Sequence, residues 1–424
     1  MGSEGVQSPN HERRVDGVRG PARLPVFASL GYFDFRRLWV STLASSTAFN
    51  MQMITRGWLV LSLANDSPLA LSLVMMSFAL PLTVVSPFGG ALADRFPRKR
   101  IIILSQTGNA FITLVLATLD VTGMIRFWHL LAFGLLNGSL IGLNMPGRQA
   151  MISEMVPEER IMNAVSLNNS GMNLTRILGP SMAGVLIIFM GTAGVFYLIS
   201  GAYLFAALWL RPVGAGSTAS RRSGQKVTTD IVDGLAYVSR EPTLLGLVVM
   251  AVLPTLFGFS YFALLPAWAR EALDVGSEGL GLLMTMTGAG ALAGTLALAS
   301  LRELNRRGLV LLAASASWGV ILALFSQSGS YGTALPMLFF LGLVGAVYMS
   351  LNMTLMQIYS TPEMRGRVMS LGIMTFGLMP LSAVPFGALA EVIGTPDALG
   401  ISGLTLLGLT VGFALFYRTF SRIA

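Results

Sequence analysis

Apolar residues run along this chain in long windows separated by short polar breaks. Windows of about 20 residues, enough to cross a ~30 Å hydrocarbon layer as a helix, fall at 38–63, 69–92, 101–120, 127–147, 162–189 and 193–210. Six more follow at 243–269, 278–300, 308–327, 333–358, 367–391 and 399–418. The pattern therefore predicts an all-α membrane protein with twelve transmembrane helices. The one long polar connection contains GAGSTASRRSGQK and divides the windows six and six. This layout predicts a cytosolic tail without fixed structure at 1–34, a six-helix bundle at 35–211, a cytoplasmic linker at 212–242 and a second six-helix bundle at 243–424.

The two halves repeat each other. GLLNGSLIGLNMPGRQ (134–149) lies over GLVGAVYMSLNMTLMQ (342–357), with Asn144 matching Asn352 and Gln149 matching Gln357. Further on, VPEER (156–160) matches TPEMR (361–365), and Pro180 matches Pro385. Two bundles related by a pseudo-twofold axis, with a site between them near the midplane, are the layout of a rocking transporter.

Composition agrees and narrows the function. Of 424 residues 54% are hydrophobic and 11% charged, with a mean hydropathy of +0.69, whereas a soluble domain carries about 25% charge. The formal net charge of +8 reflects topology rather than nucleic-acid binding. Only Arg126 and Arg270 fall on one side of the expected membrane, and only Arg56 and Arg176 lie within windows; the other 24 of the 28 basic residues fall on the opposite side. The positive-inside rule then places both termini in the cytoplasm of a multi-pass protein of the inner (plasma) membrane. There is no cysteine and the two histidines, His11 and His129, are isolated, so neither a metal site nor a thiol nucleophile is expected. No GxxxxGK[ST] phosphate cradle occurs, and no cofactor is expected. A membrane enzyme would need paired His, Cys, Asp, Glu or activated Ser at membrane depth, which leaves it a remote alternative.

Charges and amides inside the windows mark a candidate pathway, because a charge at bilayer depth costs several kcal/mol unless a cavity or partner receives it. Asn169, Asn173 and Arg176 share one face of the fifth window, and Gln52 and Arg56 share one face of the first. Asn144 and Asn352, equivalent in the repeat, are expected to face each other across the axis. These seven residues form the expected lining of a substrate cavity; the competing reading is that the amides join helices and the arginines bind carbonyls. None of the twenty carboxylates lies at mid-window, Asp34 and Glu391 coming closest to the membrane ends. A cavity with arginines and no acids favours an amphipathic anion or zwitterion.

Gly89-Gly90-Ala91-Leu92-Ala93-Asp94-Arg95-Phe96-Pro97-Arg98-Lys99-Arg100 closes the second window with small residues and a charge cluster. Here the chain resembles the major facilitator superfamily, whose loop between the second and third spans reads G-x-L-a-D-R-x-G-R-[KR]-x. The resemblance implies a conformational switch made of Gly90, Asp94, Arg95 and Arg98 on one side and Arg365 and Arg367 on the other. Asp94 would meet Arg365 or Arg367 and the positive start of the helix there. Gly179, Pro180 and Gly184 resemble the superfamily's antiporter motif GPxxGG, which tilts direction towards export. DFRRLW (34–39), DSPLA (66–70), NLTRILGP (173–180) and RGRVMS (365–370) look like the branch holding enterobactin exporters, macrolide efflux pumps and lysophospholipid transporters. The resemblance implies a monomeric secondary transporter that exports a small drug-, siderophore- or metabolite-like molecule by alternating access. A lysophospholipid flippase or a small-metabolite importer of the same fold is the alternative.

Overall fold

The computed structural model describes residues 25–214, 235–300, 306–361, 364–376, 378–417 and 420. Every long element is helical: α1 (Phe33–Leu63), α2 (Pro68–Arg95), α3 (Arg98–Val121), α4 (Phe127–Glu154), α5 (Ile161–Trp209), α6 (Pro242–Leu253), α7 (Ser260–Leu273), α8 (Ser277–Ser300), α9 (Arg307–Ser326), α10 (Tyr331–Ile358), α11 (Arg365–Phe376), α12 (Met379–Ile393) and α13 (Thr395–Phe416). Among the described residues nine segments are long and apolar enough to cross a membrane. One of them, Glu158–Trp209, has 52 residues. At 1.5 Å per residue it is about 78 Å long, so a ~30 Å hydrocarbon layer requires it to reverse. It does so at Gly191, whose φ of 67° and ψ of 178° break α5 into two arms; glycine alone adopts this conformation readily. α1 is less apolar because one side carries Ser45, Gln52, Thr55 and Arg56, all buried.

Two expected continuous windows are interrupted. The window at 243–269 breaks at Pro254, where a π-turn over Pro254–Gly258 separates α6 from α7. Pro254 supplies no N–H to the ladder, and Ser402 Oγ donates to the carbonyl of Phe257 at 2.6 Å inside that turn. The window at 367–391 is divided between α11 and α12, where Pro380 falls in the first turn of α12. A third correction concerns the N-terminal side. Residues Pro25–Gly31 form a 3-10 turn rather than tail, because the buried Ser29 donates through its Oγ (2.6 Å) and its N–H (3.1 Å) to Asn163 Oδ1 on α5. The rest of the expected tail, 1–24, and the linker over 215–234 lie outside the described residues.

Packing follows the repeat. In the first half α2 lies along α4 and α3 along α5; in the second α8 lies along α10 and α9 along α13. Lipid gives apolar side chains no reason to leave it, so close contact needs small residues that let backbones approach. A Cβ added at Gly138 of α4 would sit 2.1 Å from the Phe78 carbonyl oxygen of α2. One added at Gly342 of α10 would sit 2.0 Å from the Thr287 oxygen of α8. Side-chain hydroxyls then satisfy groups inside each half, as when Ser200 Oγ donates to Ala110 O at 2.7 Å and Ser315 shares a 2.8 Å bond with Thr410.

Gly138→Ala and Gly342→Ala should each push a helix pair apart and cost about 1–3 kcal/mol. Thermal unfolding of the purified protein is expected to show both midpoints several degrees below that of Gly201→Ala, whose added Cβ meets nothing within 4 Å.

Candidate functional site

The expected pathway residues divide into two groups. Asn169, Asn173 and Arg176 are exposed on the first arm of α5. At 100° per residue they lie roughly opposite Leu174 and Leu178, which are exposed and apolar. One face of the arm therefore suits lipid, and the opposite face presents two amides and a guanidinium to an open space. Arg176 lies within electrostatic reach of the Tyr261 hydroxyl on α7, so this face looks across to the second half. Beside it Thr175 turns inward and shares a 2.7 Å hydrogen bond with Ser46 of α1.

Gln52 and Arg56 are placed differently. Both are buried, at 4% exposure, in a polar seam inside the first half. Arg56 Nη2 donates to Asn137 Oδ1 at 2.7 Å, and Gln52 Nε2 donates to the same oxygen at 3.1 Å. Asn137 Nδ2 passes a bond on to Asn109 Oδ1 at 2.8 Å, and the Tyr203 hydroxyl donates to Gln52 Oε1 at 3.2 Å. The Phe78 ring lies 5.9 Å from the Arg56 guanidinium carbon. Asn144 is also buried and accepts from Arg148 Nε at 3.3 Å, while Arg148 Nη1 donates to Ser45 Oγ at 2.9 Å. Asn352, the repeat partner of Asn144, donates instead to the Leu247 carbonyl of α6 at 3.1 Å. The two asparagines are thus each bonded within their own half rather than to one another, since each sits where its own bundle has an oxygen or a donor to offer.

Sequence reasoning missed Asn109, Asn137, Arg148 and Tyr203. Asn137 and Arg148 lie eleven residues apart on α4, three helical turns and so on one face, as Ser45 and Arg56 are on α1. That shared spacing was the available signal.

The antiporter-like residues sit where α5 is gripped on both sides. A Cβ at Gly179 would come 2.6 Å from Asn50 Cβ of α1, and one at Gly184 would come 2.4 Å from the Ser277 oxygen of α8. Ser277 Oγ donates to the Gly184 carbonyl at 3.1 Å, and Ser181 shares a hydrogen bond with Thr285. Pro180 lies buried in the same stretch.

Of the expected switch, Gly90 and Asp94 lie on α2 and Arg365 on α11, but their surroundings fall outside the described side chains, and with them the expected docking of Asp94. Arg95 is exposed in the last turn of α2, Arg98 pairs with Glu154 of α4, and Arg367 is half-buried beside Met364. A second set of links joins the halves at the other end of the molecule. Arg270 of α7 pairs with Asp66 and lies 4.3 Å from the Trp58 ring centroid. Glu391 of α12 accepts from Ser67 Oγ at 2.8 Å and from the Leu69 N–H at 3.4 Å, at the N-terminus of α2. Glu271 accepts from the Thr395 N–H at 3.0 Å, capping α13. These groups enclose a crevice of about 400 Å³ lined by Asp66, Ser67, Ala267, Arg270, Glu271 and Glu391.

A family profile described as a transmembrane secretion effector matches residues 25–421. The uncharacterized MFS-type transporter YfiS of Bacillus subtilis (strain 168) is 35% identical over 183 residues, 42% of this chain and 43% of that one. The multidrug efflux pump Tap of Mycolicibacterium fortuitum is 26% identical over 89% of this chain and 90% of that one. The staphyloferrin A transporter of Staphylococcus aureus (strain NCTC 8325 / PS 47) is 25% identical over 85% and 90%. In fold, the crystal structure of a bacterial homologue of the human lysosomal transporter Spinster, inward-facing and unoccupied, aligns with a TM-score of 0.71 at 14% identity, covering 95% of this chain and all of that one.

The crevice makes its own prediction. Exposed ion pairs contribute little stability, about 0–1 kcal/mol, so Arg270→Ala combined with Glu391→Gln should leave folding intact while loosening this end. The chain has no cysteine of its own. A single Ala267→Cys probe, buried at 3% exposure, should therefore react several-fold faster with a membrane-impermeant maleimide in the double variant than in its parent.

Proposed function

Because the chain belongs to the transmembrane secretion effector family of major facilitator transporters, we propose that it is a secondary exporter of a small amphipathic molecule, anionic or zwitterionic, working by alternating access. The exposed face of Asn169, Asn173 and Arg176 carries this reading. A guanidinium and two amides opposite a lipid-facing stripe suit a substrate that offers negative charge and acceptors, and no described carboxylate lies at mid-helix to favour a cation. The names of the relatives, a multidrug efflux pump and a transporter of staphyloferrin A, agree with such a cargo.

On this reading the nine apolar segments become twelve crossings: α5 crosses twice, α1 and the α11–α12 pair once each, in two six-helix bundles of an inner membrane with both termini cytoplasmic. The Arg270–Asp66 and Glu391–Ser67 links then close the outer end, and the polar face of α5 opens inward. Export requires those links to break as the halves rock. Gly179 and Gly184 let α5 roll between α1 and α8 without side chains in the way. An inside-negative potential favours the exit of an anion by about 2.3 kcal/mol per charge per 100 mV, so export of an anion needs no titratable side chain in the pathway. The protein works as a monomer, with the bilayer and a small-molecule substrate as its partners.

Flux into and out of proteoliposomes, with potential and pH gradient imposed separately, tests this against a panel of anionic, zwitterionic and cationic amphiphiles. Anion flux driven by potential alone is expected. Arg176→Ala should reduce it about tenfold or more, the loss of a charge-assisted hydrogen bond, with the protein still inserted. Asp94→Asn is expected to slow exchange between the two faces while substrate binding persists. Comparable transport of cations, collapsing with the pH gradient, would overturn the assignment, as would flux of lysophospholipid alone.

A further inference from the structure

The seam inside the first half has a charge imbalance that transport through the α5 face does not use. Arg56 is buried, at 4% exposure, Arg148 is half-buried, and the Tyr203 hydroxyl feels both guanidinium charges. A guanidinium stays protonated in a protein, and a buried charge without a counter-charge is strongly unfavourable. Among the described residues neither arginine has a carboxylate within 4 Å. Their hydrogen bonds go only to neutral acceptors, Asn137, Asn144 and Ser45. Among the described residues three donors in the seam have no partner, Arg56 Nε, Arg148 Nη2 and Asn109 Nδ2, the last on a residue with 0% exposure, against one unpartnered acceptor a turn away on α3, Gln106 Oε1.

Arg56 and Asn109 are joined through Asn137, Arg56 donating to its oxygen and Asn109 accepting from its amide nitrogen. A cluster with surplus donors, a fixed positive charge and no acid among the described residues is the complement of an anion. We propose that this seam is a resident site for a small inorganic monovalent anion of the chloride class, held by Arg56 and Asn109 in the field of Arg148. The site is separate from the α5 face: the donors lie within the bundle of α1, α3 and α4, and the residues between them are buried, which suits a small ion rather than a bulky cargo. The bound anion offsets one of the two guanidinium charges of the seam in both states of the rocking cycle, so that the first half moves as one rigid body. Its role is that of a structural counter-ion whose occupancy sets how stable that half is.

The experiment is a halide titration of the full-length protein in detergent, without substrate. Ionic strength is held constant with gluconate, a larger anion, and unfolding is followed by the fluorescence of its six tryptophans. Chloride, bromide and nitrate are each expected to raise the unfolding midpoint saturably, as ligand binding to the folded state must. Arg56→Gln should raise the half-saturating halide concentration at least about tenfold, the loss of a charged hydrogen-bond donor, and Arg176→Gln should leave it unchanged. Should Arg56→Gln fail to fold, Asn109→Ser provides the reading, with a several-fold rise expected. A wild-type midpoint insensitive to all three anions would overturn the proposal. So would stabilisation by acetate but by no inorganic anion, which would mark the seam as a receptor for the carboxylate of a cargo. Equal halide dependence in wild type and Asn109→Ser would overturn it as well. Failure here leaves the exporter standing, because flux is a separate readout; failure of flux with halide binding intact would remove the exporter and leave the anion site.

Discussion

Hydrocarbon offers no hydrogen-bond partner, and every feature of this molecule follows from that constraint. The backbone answers it with helices, whose bonds close within each segment. Side-chain hydroxyls answer it by folding back onto their own turns, as Thr42 does to Leu38 O at 2.8 Å, Thr55 to Met51 O at 2.9 Å and Thr287 to Leu283 O at 3.2 Å. Where proline removes a donor in the second half, at Pro254, the Met250 carbonyl four residues back accepts from the Tyr348 hydroxyl of α10 instead. Amides and arginines cannot satisfy themselves locally, so they must find each other, and the seam of Gln52, Arg56, Asn109 and Asn137 is where they do. The same constraint makes glycine the contact residue between helices. Apolar side chains gain nothing by leaving lipid for one another, so association depends on backbone closeness at Gly138 and Gly342.

How much of this was legible in the sequence depends on which physical signal each feature leaves. The spans were legible because hydropathy is a bulk property of twenty residues, insensitive to where any one side chain points. The repeat was legible through Asn144/Asn352 and Pro180/Pro385, since these residues are rare in apolar stretches. The reversal at Gly191 was legible as a gap between windows, although not that a single residue makes it. The breaks at Pro254 and near Pro380 were not, because proline is tolerated in membrane helices whenever neighbours re-satisfy the freed groups, and that depends on a partner far away in sequence. The division of the polar residues was hidden for a related reason. Helical spacing says which residues share a face, but not whether the face meets an opening, as with Asn173 and Arg176, or a neighbouring helix, as with Gln52 and Arg56. Arg148 falls just past the end of a window, so position alone places it at the membrane margin. α4 continues beyond it to Glu154, which carries its guanidinium back along the helix to Ser45.

The halves share a plan of packing but not of polarity. The second half satisfies its interior with neutral pairs, Ser315 with Thr410 and Ser260 with Ser402 at 2.7 Å, and with Tyr348 donating to the Met250 carbonyl. The first half carries two guanidiniums. In the proposed rocking cycle the repeats need equivalent helix contacts, which leaves the chemistry of each interior free to diverge.

That divergence separates two tasks that a single polar core would confound. In the proposed cycle a cargo-binding face exchanges partners at every turn, so its groups have to be available to water or substrate, as the exposed Asn169, Asn173 and Arg176 are. A seam that holds α1, α3 and α4 together must keep its partners while the bundle tilts, so its groups have to be buried and bonded to each other. Placing Arg176 on the exposed face and Arg56 in the buried one assigns one arginine to each task. The links across the ends of α2 and α12 belong to a third category. Glu391 and Arg270 are solvent-accessible and join surfaces that part in the proposed cycle, and accessible pairs are weak enough to part. Burial thus divides the polar groups of this protein into those bonded to one another in the seam and those open to exchange on the α5 face.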